Sequence, residues 1–196
     1  MVSPQTLTRD EPVHPEQGEW TYDDWLKLPD DGFRYEVIDG VIHVTPAPSV
    51  AHQRASVKLL RLLAEYADRH GGTVLPSPLG VRLPGQPVPV QPDLSFVSAA
   101  RREIIGKQYI EGVPDLVAEI LSPSNFLYDR GEKFRLYQDA GVPEYWILDY
   151  RARTIEVFVL EEDEYVAAGQ FAAGEEATSR VLPGFSAAVD SVFAAD

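Results

Sequence analysis

The segment DLVAEIL (115–121) constrains the fold most tightly, because it is an apolar run that carries a glutamate in its middle. Its continuous apolar character predicts a β-strand with both faces buried. Alternate residues of a strand point to opposite faces, so Glu119 shares a face with Val117 and Leu121. A buried carboxylate is costly unless a cation or hydrogen bonds compensate for its lost hydration. The folded chain must therefore supply a partner for Glu119.

A second acid precedes a similar strand, because the motif PDL occurs both at 92–94 and at 114–116. Asp93 begins the run DLSFV, and its carboxylate would approach Glu119 if the two strands pair. Two converging carboxylates suit Mg²⁺, a hard cation that prefers oxygen ligands. Asp93 could equally be a turn residue that caps its strand. Asp115, at the entrance of its own strand, is interpreted as such a turn residue.

A lysine is expected near these acids. A helix is predicted from about Asp129 to Ala140, ended by Gly141. Lys133 shares a helical face with Tyr137, and that face is apolar enough to pack on the sheet. Two acids and an inward lysine are the components of metal-assisted phosphodiester hydrolysis. Lys133 could also be a solvated helix residue, or only the structural ion-pair partner of Glu119.

The first part of the chain predicts a short helix and a hairpin. In TYDDWLKLPDDG (21–32), Thr21 and Asp24 stand at the positions of a capping box. The segment FRYEVIDGVIHVTP (33–46) has two β-prone runs around Asp39-Gly40, a pair typical of type I′ turns.

The rest of the chain predicts a mixed, sheet-rich α/β domain. A long helix is predicted from Ser49, its cap, to the glycine pair that begins at Gly71. Its buried stripe is predicted to consist of Val57, Leu60, Leu63 and Ala67. Three successive strands are predicted within 144–171, with an acidic turn at 161–164, and a docked coil with a helical turn follows.

Composition limits the classes of function. The chain has 196 residues, enough for one domain, and we expect a flexible N-terminal tail at 1–18 and a single domain at 19–196. Its apolar runs are too short to span a bilayer. The absence of cysteine excludes disulfides and thiolate metal sites and is compatible with a cytoplasmic location. The net charge of −14 argues against non-specific binding to nucleic acid.

Five segments occur along the chain in the order YEVIDG (35–40), QPDLSFV (91–97), DLVAEILSPSN (115–125), DRGEKFRLYQDAGVPEYWILD (129–149) and LPGF (182–185). Together they resemble one protein family, the Uma-two family of proposed endonucleases. That family belongs to the PD-(D/E)xK restriction-endonuclease-like superfamily. The resemblance implies a restriction-endonuclease-like α/β fold, in which helices flank a mixed β-sheet.

The resemblance also implies roles for individual residues. Asp93 would be the aspartate of the PD motif and Glu119 the second acid, both as ligands of Mg²⁺ or Mn²⁺. Glu36 resembles an additional acidic metal ligand, although it could equally be an outward residue of the hairpin. The superfamily pattern places a lysine two residues after the second acid, where this chain has Leu121. Lys133 is its natural substitute.

These features favour a divalent-metal-dependent endonuclease that hydrolyses DNA with Asp93, Glu119 and Lys133. A homodimer is expected, since cutting two strands needs two sites and the C-terminal strands leave an edge that needs cover. A non-catalytic interaction module with a nuclease-like fold is the main alternative, and a phosphoesterase for a small substrate is another. His52 could reach the same cleft, but a capping or surface role is favoured.

Overall fold

A mixed six-stranded β-sheet forms the centre of the protein, as seen in a computed structural model that describes residues 14–122 and 130–194. The strands are β1 (Arg34–Ile38), β2 (Val41–Thr45), β3 (Thr73–Pro76), β4 (Gly80–Arg82), β5 (Leu94–Val97), β6 (Tyr109–Glu111), β7 (Leu116–Ile120), β8 (Glu144–Asp149), β9 (Thr154–Glu161), β10 (Glu164–Phe171), β11 (Glu176–Thr178) and β12 (Ser186–Ala188). The α-helices are α1 (Tyr22–Trp25), α2 (Val50–His70), α3 (Glu132–Asp139) and α4 (Val189–Val192), and a 3-10 helix spans Ala99–Ile104.

The order of strands in the central sheet is β10-β9-β8-β7-β5-β3. Strands β7 and β8 run parallel, and the other neighbouring pairs run antiparallel. The two strands of the PDL motifs pair as predicted, with Leu94 opposite Ala118. Strand β7 therefore lies inside the sheet, between β5 and β8.

Both faces of this sheet are covered. Helix α2 packs on one face, where its buried side chains meet those of Leu116, Ala118 and Ile120. On the other face, Val117 and Leu121 belong to a second core cluster that includes residues of α3. Every residue of β7 is buried, which confirms the prediction drawn from its continuous apolar run.

Helix α2 has the predicted ends, but its buried face differs from the predicted one. The Ser49 side chain accepts a hydrogen bond from the His52 amide, and the helix ends at Gly71. Val57, however, is 50% exposed, so the prediction that it lies in the buried stripe was wrong. The buried face is rotated toward positions that combine small and large apolar residues, namely Ala55, Leu59, Leu63 and Tyr66.

The short helix and the hairpin form as predicted. Thr21 and Asp24 make the capping box at the start of α1. Strands β1 and β2 pair antiparallel around Asp39 and Gly40, whose φ angles of 50° and 74° are those that a type I′ turn requires. Gln17 hydrogen-bonds the backbone of β2, while the expectation of a tail at 1–18 falls largely outside the described residues.

Two segments are more regular than the sequence indicated. The predicted C-terminal coil contains β12, which pairs antiparallel with β11. The segment between the PDL motifs forms the 3-10 helix and then β6, which pairs in parallel with β4. Asp115 accepts hydrogen bonds from the Ser98 amide and the Arg101 guanidinium, as expected of a turn residue.

The helix predicted from about Asp129 to Ala140 corresponds to α3 (Glu132–Asp139). Its predicted start at 129 lies outside the described residues. It ends before Gly141, whose φ angle of 82° favours glycine. Within the described ranges, no helix has the length and apolar character needed to cross a membrane.

Candidate functional site

The structure brings Glu36, Asp93, Glu119 and Lys133 together on the α3 side of the sheet. The Lys133 Nζ atom lies 2.7 Å from Glu119 Oε1 and 3.3 Å from Glu36 Oε2. The backbone amide of Asp93 lies 3.4 Å from Glu119 Oε2. Strand β7 carries Glu119, β1 carries Glu36 and α3 carries Lys133, while Asp93 immediately precedes β5. Their chemical roles remain predictions.

The face of α3 that packs on the sheet fixes Glu119. Lys133 and Tyr137 are one helical turn apart, and both are completely buried. The Tyr137 hydroxyl donates a 2.6 Å hydrogen bond to Glu119 Oε1, the oxygen that Lys133 also contacts. Burial and the nearby Glu119 charge raise the pKa of Tyr137, so it remains a donor. One oxygen of Glu119 is thus held by two donors from a single helix.

Asp93 is held from three directions. The Ile120 amide donates a 2.9 Å hydrogen bond to Asp93 Oδ2, and His52 Nε2 lies 3.0 Å from the same oxygen. Arg34 Nη1 donates to Oδ1 at 3.1 Å. Burial would raise the pKa of Asp93, but the His52 hydrogen bond and the Arg34 charge outweigh burial and hold it well below its usual range. Asp93 is therefore a carboxylate throughout the physiological pH range.

Arg34 bridges two of the acids. Its guanidinium contacts Asp93, and its Nε atom lies 3.7 Å from Glu36 Oε2. Burial would lower the pKa of Arg34, but the charges of Glu36 and Asp93 outweigh it and raise that pKa. The Arg34 side chain is 19% exposed, whereas that of Lys133 is inaccessible, so Arg34 is the more accessible of the two cations.

Sequence reasoning missed Arg34 and misjudged His52. The available signal for Arg34 was its position two residues before Glu36, which places both side chains on one face of β1. His52 caps nothing with its ring and is 7% exposed, so the favoured capping or surface role was wrong. Its spacing of three and seven residues from Ala55 and Leu59 places it on the buried face of α2.

Charge in the cluster is unbalanced. Three acidic side chains, those of Glu36, Asp93 and Glu119, surround the basic side chains of Arg34 and Lys133. Burial raises the pKa of Glu119 to about 7; Lys133 opposes the rise, and the charges of Asp93 and Glu36 add to it. Glu119 therefore holds a proton in part of the molecules at neutral pH, which relieves the excess negative charge.

The cluster lies beneath an open cleft. The cleft has a volume of about 900 Å³ and is lined at its base by Arg34, His52 and Asp93. Glu36 and Glu119, by contrast, are at most 1% exposed and lie beneath that base. Of the two cations and three acids of the cluster, Asp93 and Arg34 are therefore the ones that line the cleft.

The donor chemistry of this cluster suits a divalent cation. Carboxylate oxygens are the ligands that Mg²⁺ and Mn²⁺ prefer. Glu36 Oε2 is buried without a hydrogen-bond donor, although two cations lie within 4 Å, and the single amide near Glu119 Oε2 is 3.4 Å away. Across residues 14–122 and 130–194, no three or more histidine or acidic side chains are arranged as a ready metal site. A cation bound here would have to rearrange the Arg34 contacts.

Comparison with known proteins identifies the family. Residues 22–190 match the Uma2 family, described as "Putative restriction endonuclease". The chain belongs to the Uma2 family. It is also 30% identical over 131 residues to the uncharacterized protein slr1290 of Synechocystis sp., a match that covers 66% of this chain and 68% of that protein.

A solved structure supports the fold assignment. The crystal structure of a "putative nuclease belonging to DUF820" from Anabaena variabilis ATCC 29413 superposes with a TM-score of 0.69. The match covers 88% of this chain and 97% of the other, at 18% sequence identity. This Uma2 protein therefore has a nuclease-like mixed α/β fold, as the sequence predicted.

The raised pKa of Glu119 predicts how stability depends on pH. Unfolded Glu119 titrates near 4.5 and folded Glu119 near 7, so its protonated form stabilises the fold at low pH and that contribution is lost as pH rises through 7. The unfolding free energy of Glu119→Gln minus that of wild type should therefore rise by about 3 kcal/mol from a pH below 4.5 to a pH above 7. Each unit of difference between the two pKa values corresponds to about 1.4 kcal/mol.

Urea denaturation at several pH values measures this difference. Glu161→Gln, which removes an exposed carboxylate at the β9–β10 turn, is the control and should track wild type. A difference between wild type and Glu119→Gln that does not vary with pH would contradict the assignment.

Proposed function

We propose that this Uma2 protein is a divalent-metal-dependent endonuclease that hydrolyses DNA phosphodiester bonds. Membership of a family described as restriction endonucleases supports the reaction class. The observation that carries the proposal is the convergence of Asp93, Glu119 and Lys133 beneath an open cleft. A purely structural role would not require the acids to adjoin a cleft of this size.

Asp93 and Glu119 would hold Mg²⁺ or Mn²⁺ in this proposal, with Glu36 as a further acid. When bound, the cation would polarise the phosphate and activate a water molecule. The Ile120 amide and His52 would keep Asp93 oriented, as they do in the present geometry. Tyr137 would do the same for Glu119.

The two cations would divide the work of binding and positioning. Arg34, which lines the cleft, is placed to contact a phosphate oxygen of the substrate. A guanidinium is well suited to this contact because it presents several donors in a fixed plane. Lys133, which is inaccessible, holds Glu119 and Glu36 in place and lowers the electrostatic cost of a developing negative charge nearby.

One observation favours a non-catalytic interaction module. Arg34 and Lys133 already neutralise most of the charge on the three acids, so the cluster has an internal alternative to metal. In such a module the same residues would join β1, β5, β7 and α3 without binding a cation. The two functions differ in their response to metal ions.

A nuclease should bind and use metal. We expect Mg²⁺ or Mn²⁺ to raise the melting temperature of the wild type in a concentration-dependent way, because the folded state alone contains the paired acids. The same cations should support cleavage of DNA. Glu119→Gln should weaken the thermal response and abolish cleavage, since it removes one anionic ligand. Differential scanning fluorimetry and a plasmid-cleavage assay measure the two effects.

Glu144 offers a matched control elsewhere in the sheet. It is buried, and its oxygens accept hydrogen bonds from the Trp146 indole and the amides of Arg180 and Val181. Glu144→Gln should lose stability but keep both the metal response and cleavage. If the wild type shows neither a metal response nor cleavage, the endonuclease proposal is wrong and the interaction module is the better account.

We also propose that 19–196 forms a single domain and that the protein is a homodimer. Strand β10 is an edge of the central sheet, and its Val166 is exposed. Unpaired edges with apolar residues tend to be covered by another chain. Sedimentation at micromolar concentration should give about twice the 21.8 kDa mass of the chain. A species at the monomer mass alone would contradict the dimer.

A further inference from the structure

The cleft above Asp93 is lined in part by apolar and aromatic side chains, which binding of a phosphodiester backbone alone would not require. One wall comes from α1 and the segment after it, with Trp25, Leu26 and Phe33. Another part of the lining comes from α2, with Val57 and Leu60. The volume of about 900 Å³ is at the upper end for small-ligand sites and exceeds the needs of one phosphate group.

These walls expose apolar side chains to solvent. Leu26 is 57% exposed, Phe33 51% and Val57 50%, and all three line the cleft. A cluster of exposed apolar groups in a chain of net charge −14 indicates a binding surface, since such groups gain when a ligand covers them. The Trp25 indole donates a 2.9 Å hydrogen bond to the Tyr35 carbonyl, so the aromatic wall is held in place.

Basic residues continue from the α2 wall. Arg54, Lys58 and Arg61 recur at intervals of four and three residues, which places them along one side of the helix. Arg61 follows Val57 by one turn, so the basic row adjoins the apolar wall. With Arg34 at the base of the cleft, this arrangement offers apolar surface for rings beside positive charge for phosphates.

That combination matches an unpaired strand of DNA better than a duplex. In a duplex the faces of the bases are stacked on one another, and the exterior presents phosphates and base edges. An unpaired strand exposes base faces that can pack on aromatic and apolar side chains, while its backbone follows basic residues. Extruded bases likewise enter pockets with apolar walls.

We propose that the cleft binds one or two unpaired nucleobases of single-stranded DNA, with the adjoining backbone along Arg54, Lys58 and Arg61. The inference rests on the proposed endonuclease function and specifies its substrate class. Bases between Phe33 and Val57 would bring the neighbouring phosphate to Arg34 and Asp93. Single-stranded DNA, or a locally unpaired region, is then the preferred substrate.

Fluorescence anisotropy in EDTA separates binding from cleavage. The probes are fluorescein-labelled oligothymidylate of about 15 nucleotides, matched to known single-strand site sizes, and a duplex of equal length. Wild type should bind the single strand at least about tenfold more tightly than the duplex. Phe33→Ala should weaken single-strand binding about tenfold, the effect expected from losing one stacking contact. Leu26→Ala, on the same wall, should weaken it as well.

Two controls lie outside the cleft. Val44→Ala removes a similarly exposed apolar side chain from β2 and should leave binding unchanged. Arg61→Ala should reduce the slope of log affinity against log salt concentration by about one, the effect of losing one phosphate contact. Arg102→Ala, on the 3-10 helix, should leave that slope unchanged. Circular dichroism establishes that each variant is folded.

Several outcomes would overturn the inference. Equal affinity for duplex and single strand, or equal effects of Phe33→Ala and Val44→Ala, would do so. Displacement of the oligonucleotide by poly-glutamate at equal charge concentration would show that charge alone is recognised. Self-association abolished by Phe33→Ala and insensitive to oligonucleotide would identify a second copy of the chain as the occupant.

Cleavage assays with Mg²⁺ distinguish failure of the single-strand inference from failure of the endonuclease proposal. Duplex cleavage without single-strand binding would overturn the cleft inference and leave the endonuclease intact. Phe33-dependent binding of the single strand without cleavage of any DNA would support the cleft as a binding site and overturn the endonuclease.

Discussion

The buried ion pair between Glu119 and Lys133 is the interaction on which the rest of the site depends. Glu119 is the last residue but one of β7, and the lysine that reaches it from α3 is completely inaccessible to solvent. Removing Lys133 would cost roughly 3–5 kcal/mol, because the acid that it neutralises would stay buried without its cation. Here Lys133 has Glu36 as a second partner, so the pair also joins the hairpin to the sheet.

This arrangement makes the candidate site a structural junction. Arg34 and Glu36 belong to β1, and Arg34 contacts Asp93, which immediately precedes β5. Asp93 in turn accepts a hydrogen bond from the Ile120 amide of β7, so contacts at this site join three strands. The three acids exceed the two basic side chains by one charge; burial, with the charges of Asp93 and Glu36 added, raises the pKa of Glu119 to about 7. A divalent cation would relieve that excess by binding, just as the proton does in its absence. The same imbalance therefore connects stability, pH and metal affinity.

Local patterns account for what could be predicted from the sequence. The continuous apolar run of β7 identified a strand buried on both faces, and helical spacing predicted that Lys133 points inward. Capping residues such as Ser49 and the Asp39-Gly40 turn fixed the ends of elements, since those features depend on neighbours in the chain. Five motifs in order identified the family that the comparison confirmed.

Contacts between distant segments account for what could not be predicted. Arg34 meets Asp93 across 59 residues of sequence, and His52 meets it across 41, so no local pattern joins them. Periodicity allowed two neighbouring faces for α2, and packing against the sheet selected the one that leaves Val57 exposed. The cleft formed by that choice is a property of tertiary structure alone.

Proton release on metal binding tests the central claim most directly. If Glu119 binds the cation, binding must displace the proton that its raised pKa of about 7 retains. Titration calorimetry with Mn²⁺ in two buffers of different ionisation enthalpy counts the protons released. We expect release approaching one proton about a unit below that pKa, little release a unit above it, and none in Glu119→Gln. Metal binding without pH-dependent proton release, or no binding by the wild type, would contradict the account.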